Sequence, residues 1–220
     1  MYIVGDIGNT ETKVCLISSN NRIINKIIFS TKNINQIKLN KFFNNFKLNY
    51  KKIEKILFCS VVPKSFILIK KFLSQKTKVK CHEVKNLNLK SFIKIKVNYK
   101  QVGSDRITNA ISLINNKNNF IILDFGTATT FDVLIKDTYA GGIIAPGIRL
   151  SLNTLSDKAT LIPKINLKMI KNVIFLKFIK NYLDRFFEVK PNEFQPYILN
   201  SKYLIYMFES KIIPANFKFF

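Results

Sequence analysis

This chain has little glycine: seven of 220 residues, with no tryptophan, one histidine (His82) and three cysteines (Cys15, Cys59, Cys81). Three cysteines without C-x-x-C spacing exclude a disulfide framework, and one histidine leaves no Cys/His zinc pattern. No run of about 18 uncharged apolar residues occurs, so no helical membrane span is expected. No basic stretch followed by an apolar h-region opens the chain, which therefore reads as soluble and cytoplasmic. Acidic side chains are also few, 13 against 36 basic, giving a net charge of +23. Such an excess suits a nucleic-acid ligand, but only four of the basic residues are arginine (Arg22, Arg106, Arg149, Arg185) and the lysines are scattered over every segment. Lysine, asparagine and isoleucine all have AT-rich codons, and their abundance traces the charge to nucleotide bias in the gene. No helix-turn-helix, zinc finger or aromatic RNA-binding signature is present, so neither nucleic acid nor membrane is an expected partner. What remains is a chain with 47% hydrophobic residues, too apolar for disorder and long enough for one large domain or two small ones.

In a glycine-poor chain the positions of the glycines carry information. They fall at Gly5 and Gly8, at Gly103, at Gly126, and at Gly141, Gly142 and Gly147. Each site is a turn beside an acidic or hydroxyl residue, or a tight Gly-Gly or Pro-Gly corner. Glycine serves where φ is positive or where a ligand must approach the backbone.

Residues 2–7, 12–18 and 22–30 read as three strands joined by short turns. A helical period follows over 34–49, then an apolar strand at 56–62 stopped by Pro63, a helix at about 64–75 and a strand at 79–84. A short strand is possible at 92–97, and a helix opens at Gly103-Ser104. The opening pattern then returns: strands at 120–125, 129–136 and 138–144, and a helix from about 147. Laying DIGNTETKVCLI (6–17) over DFGTATTFDVLI (124–135) gives identities at Asp, Gly, Thr, Leu and Ile at a constant offset of 118 residues. The expectation is an internal duplication, two βββα-type halves each opening with a strand that ends in Asp-x-Gly.

An Asp-x-Gly corner at the end of a buried strand can handle anions. The turn after Gly8 can present backbone N–H groups to phosphate oxygens. Thr10 and Thr12 add hydroxyl donors, and Lys13 a point charge. Asp6 is then placed to hold Mg²⁺, which favours carboxylate plus phosphate oxygens. A second corner at Asp124-Phe125-Gly126-Thr127, facing the first, would clamp a polyphosphate from the other side. Gly103-Ser104-Asp105-Arg106 opens a helix and supports two readings. One is ordinary N-terminal chemistry, Ser104 as cap and Asp105 against the helix dipole. The other makes Asp105 a general base on a substrate hydroxyl and Arg106 a bidentate partner for a substrate carboxylate. Cys15 and Cys59 read as core, and His82 as a surface or loop residue.

Taken in order, DIGNTETK (6–13), SVVP (60–63), GSDR (103–106), DFGTATTFD (124–132), GGIIAPG (141–147) and TLIP (160–163) resemble the type III pantothenate kinases. These belong to the actin-like, sugar-kinase-like ATPase superfamily. The resemblance covers about residues 1–165. It implies an α/β fold of duplicated actin-like (ribonuclease H-like) βββαβα domains, 1–118 and 119–220, with a nucleotide cleft between them. It implies phosphorylation of pantothenate by ATP, the first step toward coenzyme A, with Mg²⁺ and a monovalent cation (K⁺ or NH₄⁺), in a homodimer. Carried over residue by residue, Asp6, Ile7, Gly8, Asn9, Thr10, Glu11, Thr12, Lys13 and Thr127 match ATP contacts. Asp105 matches the proton acceptor, Tyr99, Gly103, Ser104, Asp105 and Arg106 match pantothenate contacts, and Asp124 matches the monovalent-cation ligand. Residues 166–220 depart from the pattern: they lack glycine and the family's G-K-N-T segment, so this part is expected to be divergent or incomplete. The competing expectation is a catalytically impaired kinase-like regulatory or binding protein that keeps the nucleotide clamp.

Overall fold

The computed structural model describes residues 1–46, 48–159 and 195–199. The first sheet holds β1 (Tyr2–Ile7), β2 (Glu11–Ile17), β3 (Ile23–Ser30), β4 (Lys55–Ser60) and β5 (Cys81–Glu83), in the order β3-β2-β1-β4-β5. The first three strands are antiparallel, whereas β4 and β5 run parallel to β1. Helices α1 (Gln36–Asn45) and α2 (Pro63–Thr77) supply the crossovers. Pro63 begins α2, where a missing amide hydrogen costs nothing, and Lys78 ends it in the left-handed conformation.

The second sheet contains β6 (Lys94–Ile95), β7 (Asn119–Phe125), β8 (Ala128–Ile135), β9 (Thr138–Pro146) and β10 (Gln195–Leu199), ordered β10-β7-β8-β9-β6. Strands β7, β8 and β9 repeat the antiparallel arrangement of β1, β2 and β3. Parallel β10 stands beside β7 as β4 stands beside β1. The second half therefore acquires its fourth strand from the segment expected to be incomplete, with Leu199 level with Asp124. The TLIP motif at 160–163 and the remainder of the tail lie outside the described residues.

The duplication is visible in this order, but the ungapped overlay needs correction. Ile7 pairs with Thr12 across the first hairpin, and Phe125 pairs with Thr129 across the second. The Gly8 amide donates to Glu11 O, whereas the Gly126 amide donates to Ala128 O. The second turn is thus one residue shorter. Beyond it Thr12 corresponds to Thr129, both buried, and the Leu and Ile identities of the overlay fall out of register.

Two apolar cores flank the first sheet. One side chain in two along β1, Ile3 and Ile7, packs under α1 and α2 with Phe43, Phe58, Ile69 and Phe72. The opposite face of β4, Leu57 and Cys59, packs on α3 (Ser104–Leu113), whose Ile107 and Ala110 are fully buried. Phe120 and Ile122 of β7 close on α3 from the other side. Helix α3 is therefore a wedge between the two sheets. From β7, Ile122 packs in the α3 core and Asp124 accepts from Asn109 of that helix, while on β1 Asp6 lies on the face opposite Ile3 and Ile7. The last helix, α4 (Ile148–Lys158), follows β9.

Observed strands and helices differ from expectation at their ends. The helical period over 34–49 yields a helix only from Gln36, capped by the Asn35 side chain at the Lys38 amide, to Asn45. The expected strand at 92–97 shrinks to Lys94–Ile95, pairing with Thr138 and Tyr139 of β9. His82 lies on the edge strand β5, half-buried.

Candidate active site

A cavity of about 310 Å³ opens where the two hairpin turns meet the N-terminal end of α3. Asp6, Gly8, Asn9, Thr10, Glu11 and Lys13 line it from the first hairpin, and Asp124 to Ala128 with Thr130 from the second. Asp105 and Asn109, one helical turn apart on α3, form its floor. The hairpins touch directly at their tips, where the hydroxyls of Thr10 and Thr127 lie 2.9 Å apart. Two turns of separate sheets thus close over one space, as facing phosphate corners require.

Of the four carboxyl side chains that line this space, three (Asp6, Asp105 and Asp124) are half-buried, and burial raises the pKa of each. Asp6 is raised by burial and by Asp105, with Lys13 and the Cys59 thiol (Sγ to Oδ1, 3.5 Å) pulling the other way. Asp105 is raised by burial, opposed by Arg106 and Lys85, and its Oδ1 accepts from the Arg106 amide at 2.8 Å. Asp124 is pushed to about 6, first by burial and then by Asp105, while Asn109 Nδ2 donates to its Oδ2 at 3.2 Å. Crowding of this kind, like charges in a half-dry cleft, marks a site built to receive cations or a proton. The Cys59 thiol, buried behind Asp6, is pushed well above the ordinary range by burial and by that carboxylate. A thiol so held is inert.

The crowding has a stability consequence. Asp124 holds its proton more tightly in the folded chain than in the unfolded one, where its pKa is near 3.8. Folded protein therefore binds more protons between about pH 4 and 6, and its stability falls as pH rises through that window, levelling off above it. Replacing Asp124 by Asn removes the penalty. The ceiling is about 3 kcal/mol at about 1.4 kcal/mol per pKa unit, and solvent at the open mouth of the cleft brings the expected gain to roughly 1–2 kcal/mol. Ligand-free D124N is expected to melt several degrees above wild type at pH 8 and to match it near pH 4, by calorimetry across that range.

Several residues expected at the cleft lie elsewhere. Ile7 is fully buried in the outer core and supports the strand rather than a ligand. Thr12 is also fully buried, its hydroxyl 2.9 Å from that of Thr31, so it braces the first hairpin and offers no donor to a phosphate. Ser104 is 1% exposed and donates to Glu83 Oε1, neither capping α3 nor facing the cavity. Tyr99 does not line this cavity; its hydroxyl donates to Lys85 O at 2.7 Å.

Arg106 departs furthest. Its guanidinium turns into the protein, with Nε donating to Asp132 Oδ1 at 2.8 Å and Nη2 2.6 Å from the same oxygen, while the Tyr139 hydroxyl donates there too at 2.5 Å. Burial alone would lower the guanidinium pKa, and the Asp132 carboxylate more than reverses that. Burial likewise raises Asp132 against the pull of Arg106, but an arginine keeps its proton, so the pair stays ionised. Gly142 makes the room. A Cβ there would lie against Phe131 O and within 2.5 Å of Nη2. In the ligand-free chain the Arg106 guanidinium is thus paired internally with Asp132.

Sequence reasoning also missed Asn109, Thr130 and Asp132. Asn109 was hidden by the abundance of asparagine; the available signal was its position one helical turn after Asp105. Asp132 had a clearer one, a carboxylate inside the apolar strand TTFDVLI, where a buried charge demands a partner.

The sequence model described as type III pantothenate kinase matches residues 2–181. A type III pantothenate kinase of Pelagibacter ubique (strain HTCC1062) is 63% identical over 187 residues, 85% of this chain and 75% of that protein. One from Sulfurihydrogenibium sp. (strain YO3AOP1) is 37% identical over 186 residues, 79% of this chain and 71% of the other. Among solved structures, a protein from Campylobacter jejuni assigned to the Baf family of transcriptional activators superposes with a TM-score of 0.50 at 18% identity, covering 97% of this chain and 98% of its own. A Sinorhizobium meliloti protein assigned as a 2-dehydro-3-deoxygalactonokinase gives 0.50 at 6% identity, with full coverage of both chains. These two likenesses are of fold alone. The family match across the cleft-forming motifs and the extent of identity to the Pelagibacter enzyme place this chain in the type III pantothenate kinase family.

Proposed function

We propose that this chain is an ATP-dependent kinase that phosphorylates pantothenate at its terminal hydroxyl to 4′-phosphopantothenate, the first step of coenzyme A synthesis. One observation carries the site assignment: Asp105, in the first turn of α3, lines the same cavity as both hairpin turns, which meet at Thr10 and Thr127. In this reading the turn from Gly8 to Glu11, with Lys13 and Thr127, holds the ATP phosphates. The Asp105 carboxylate accepts the hydroxyl proton as the γ-phosphoryl transfers. A proton acceptor beside a positioned hydroxyl suits phosphoryl transfer, in which positioning and charge neutralisation dominate. Tyr99 and Gly103 are assigned to the pantothenate side of the cleft, and Ser104 and Arg106 to its framework.

The cation assignments belong to the same proposal. Among the described residues no group of three His, Cys, Asp or Glu side chains is arranged to hold a metal by itself. An ion here would take most of its ligands from phosphate and water, Mg²⁺ at Asp6 and K⁺ or NH₄⁺ at Asp124. Donor chemistry supports the second site: Asn109 Oδ1 and Thr130 Oγ1 are buried without hydrogen-bond partners in the cavity wall that contains Asp124. Bound there, a cation supplies charge neutralisation for the polyphosphate. The division into lobes 1–118 and 119–220, with the Lys94–Ile95 strand reaching from one to the other's sheet, and a homodimeric assembly complete the reading.

A coupled assay for ADP tests it. With K⁺ present, ADP is expected only when both ATP and pantothenate are supplied. Stabilisation by ATP in thermal melts without pantothenate-dependent ADP would favour the regulatory alternative, and absence of both effects would remove the clamp as well.

A further inference from the structure

The hydrogen bond that holds the Asp105 carboxylate is a local one, from the Arg106 amide at 2.8 Å, so its position follows the backbone path. Gly103, the residue before α3, has no side chain to cap the helix, and a Cβ there would collide with Asp105 Oδ1. The carboxylate thus folds back over the Val102–Ser104 backbone, and whatever fixes that backbone fixes the carboxylate. Two charged residues hold it, Glu83 at the end of β5 and Lys85 in the turn that follows. Ser104 Oγ donates to Glu83 Oε1. Lys85 Nζ donates to Val102 O at 2.8 Å and to Lys100 O at 3.3 Å.

Lys85 is held in turn. Its amide donates to Glu83 Oε2 at 2.8 Å, and its carbonyl accepts from the Tyr99 hydroxyl. Its ammonium stands 5.1 Å from the Tyr99 ring centroid. A solvated lysine keeps its rotamer freedom. This one has exchanged that freedom for two carbonyls and a ring face, all on the Tyr99–Val102 segment that leads into α3.

We propose that Lys85, seated against Glu83, is a positioning residue for phosphoryl transfer: it clamps the Lys100–Ser104 segment and through it sets where the Asp105 carboxylate meets the substrate hydroxyl. This rests on the assignment of Asp105 above. Near-attack geometry tolerates little displacement, and a misplacement of about 1 Å costs on the order of 100-fold. Lys85 does not line the ATP-phosphate cavity, so its loss should leave nucleotide affinity in place.

The test measures kcat and the KM for ATP in wild type, Lys85→Met, Lys85→Arg, Glu83→Gln and Asp105→Asn, with folding checked by circular dichroism and thermal melts. Lys85→Met is expected to lose roughly 10–100-fold in kcat with the KM for ATP within about two-fold. Lys85→Arg, which keeps charge and donors, should recover most of the loss. Glu83→Gln, with one carboxylate acceptor gone, should lose several-fold in kcat. Wild-type kcat in Lys85→Met, a loss lying in the KM for ATP, or no recovery in Lys85→Arg would each overturn the proposal. Should Lys85→Met not fold, Lys85→Arg and Glu83→Gln decide, and wild-type kcat in Glu83→Gln overturns it. Asp105→Asn separates the levels: if it turns over like wild type the base assignment has failed, whereas an inactive Asp105→Asn beside a fully active Lys85→Met sinks only the role of Lys85.

Discussion

Asp105→Asn is expected to lower pantothenate-dependent ADP formation by roughly 10²–10⁴-fold while leaving the fold and ATP affinity intact, the range that loss of a positioned general base produces. The isostere keeps the oxygen that accepts from the Arg106 amide, so α3 still begins in the same place. What it loses is the lone pair that takes the proton. The pH profile supplies a second readout. Burial raises the pKa of Asp105 against the pull of Arg106 and Lys85, so wild-type kcat/KM should rise with pH through an apparent pKa above the ordinary carboxylate value. Because the half-buried carboxyls of Asp6, Asp105 and Asp124 share the cleft, that apparent value belongs to the group rather than to Asp105 alone. Asp105→Asn should flatten the limb. Wild-type turnover in the variant would transfer the base to another residue.

How much of this was legible beforehand depends on the range of the interaction. Strands from Tyr2 to Ser30 and from Asn119 to Pro146 were readable because alternation and turn chemistry are local. The Asp-x-Gly corners were readable too, since glycine is scarce enough here for each one to stand out. The one-residue shortening of the second turn was not. An ungapped comparison has no means of weighing Gly8–Glu11 against Gly126–Ala128, and only the register across each hairpin reveals the difference. Side-chain roles diverged where partners are distant in sequence. Thr12 and Ser104 carry hydroxyls that suit a phosphate or a cap, yet Thr31 and Glu83 claim them. The internal partner of Arg106 could not be read from the sequence, being 26 residues away on another element. A motif states which groups are present, and packing decides which way they face.

Arg106 and Asp132 therefore carry the second large expectation, one that separates the two roles of the arginine. Asp132 is fully buried and the Arg106 side chain nearly so, at 0% and 8% exposure. Breaking such a pair from one side leaves an uncompensated charge in a dry interior, at a cost of roughly 3–5 kcal/mol. For a chain of this size that is a fall in Tm of roughly 6–20 °C, and Asp132→Ala and Arg106→Met should both show it. Tyr139→Phe, which removes a single hydrogen bond to the carboxylate, should cost less, roughly 1.5–3 kcal/mol. Replacing both charges with apolar residues of similar volume should restore much of the stability, because neither desolvated ion remains. An arginine reserved for substrate would behave differently: Arg106→Met would leave the melt of the ligand-free protein unchanged and raise only the KM for pantothenate. Since α3 carries both Arg106 and Asp105, the structural role predicts a further result. Arg106→Met should lose kcat along with Tm, and the Arg106→Met/Asp132→Leu double variant should regain Tm before it regains kcat, because refilling the interior does not restore the pair that orients the first turn of the helix.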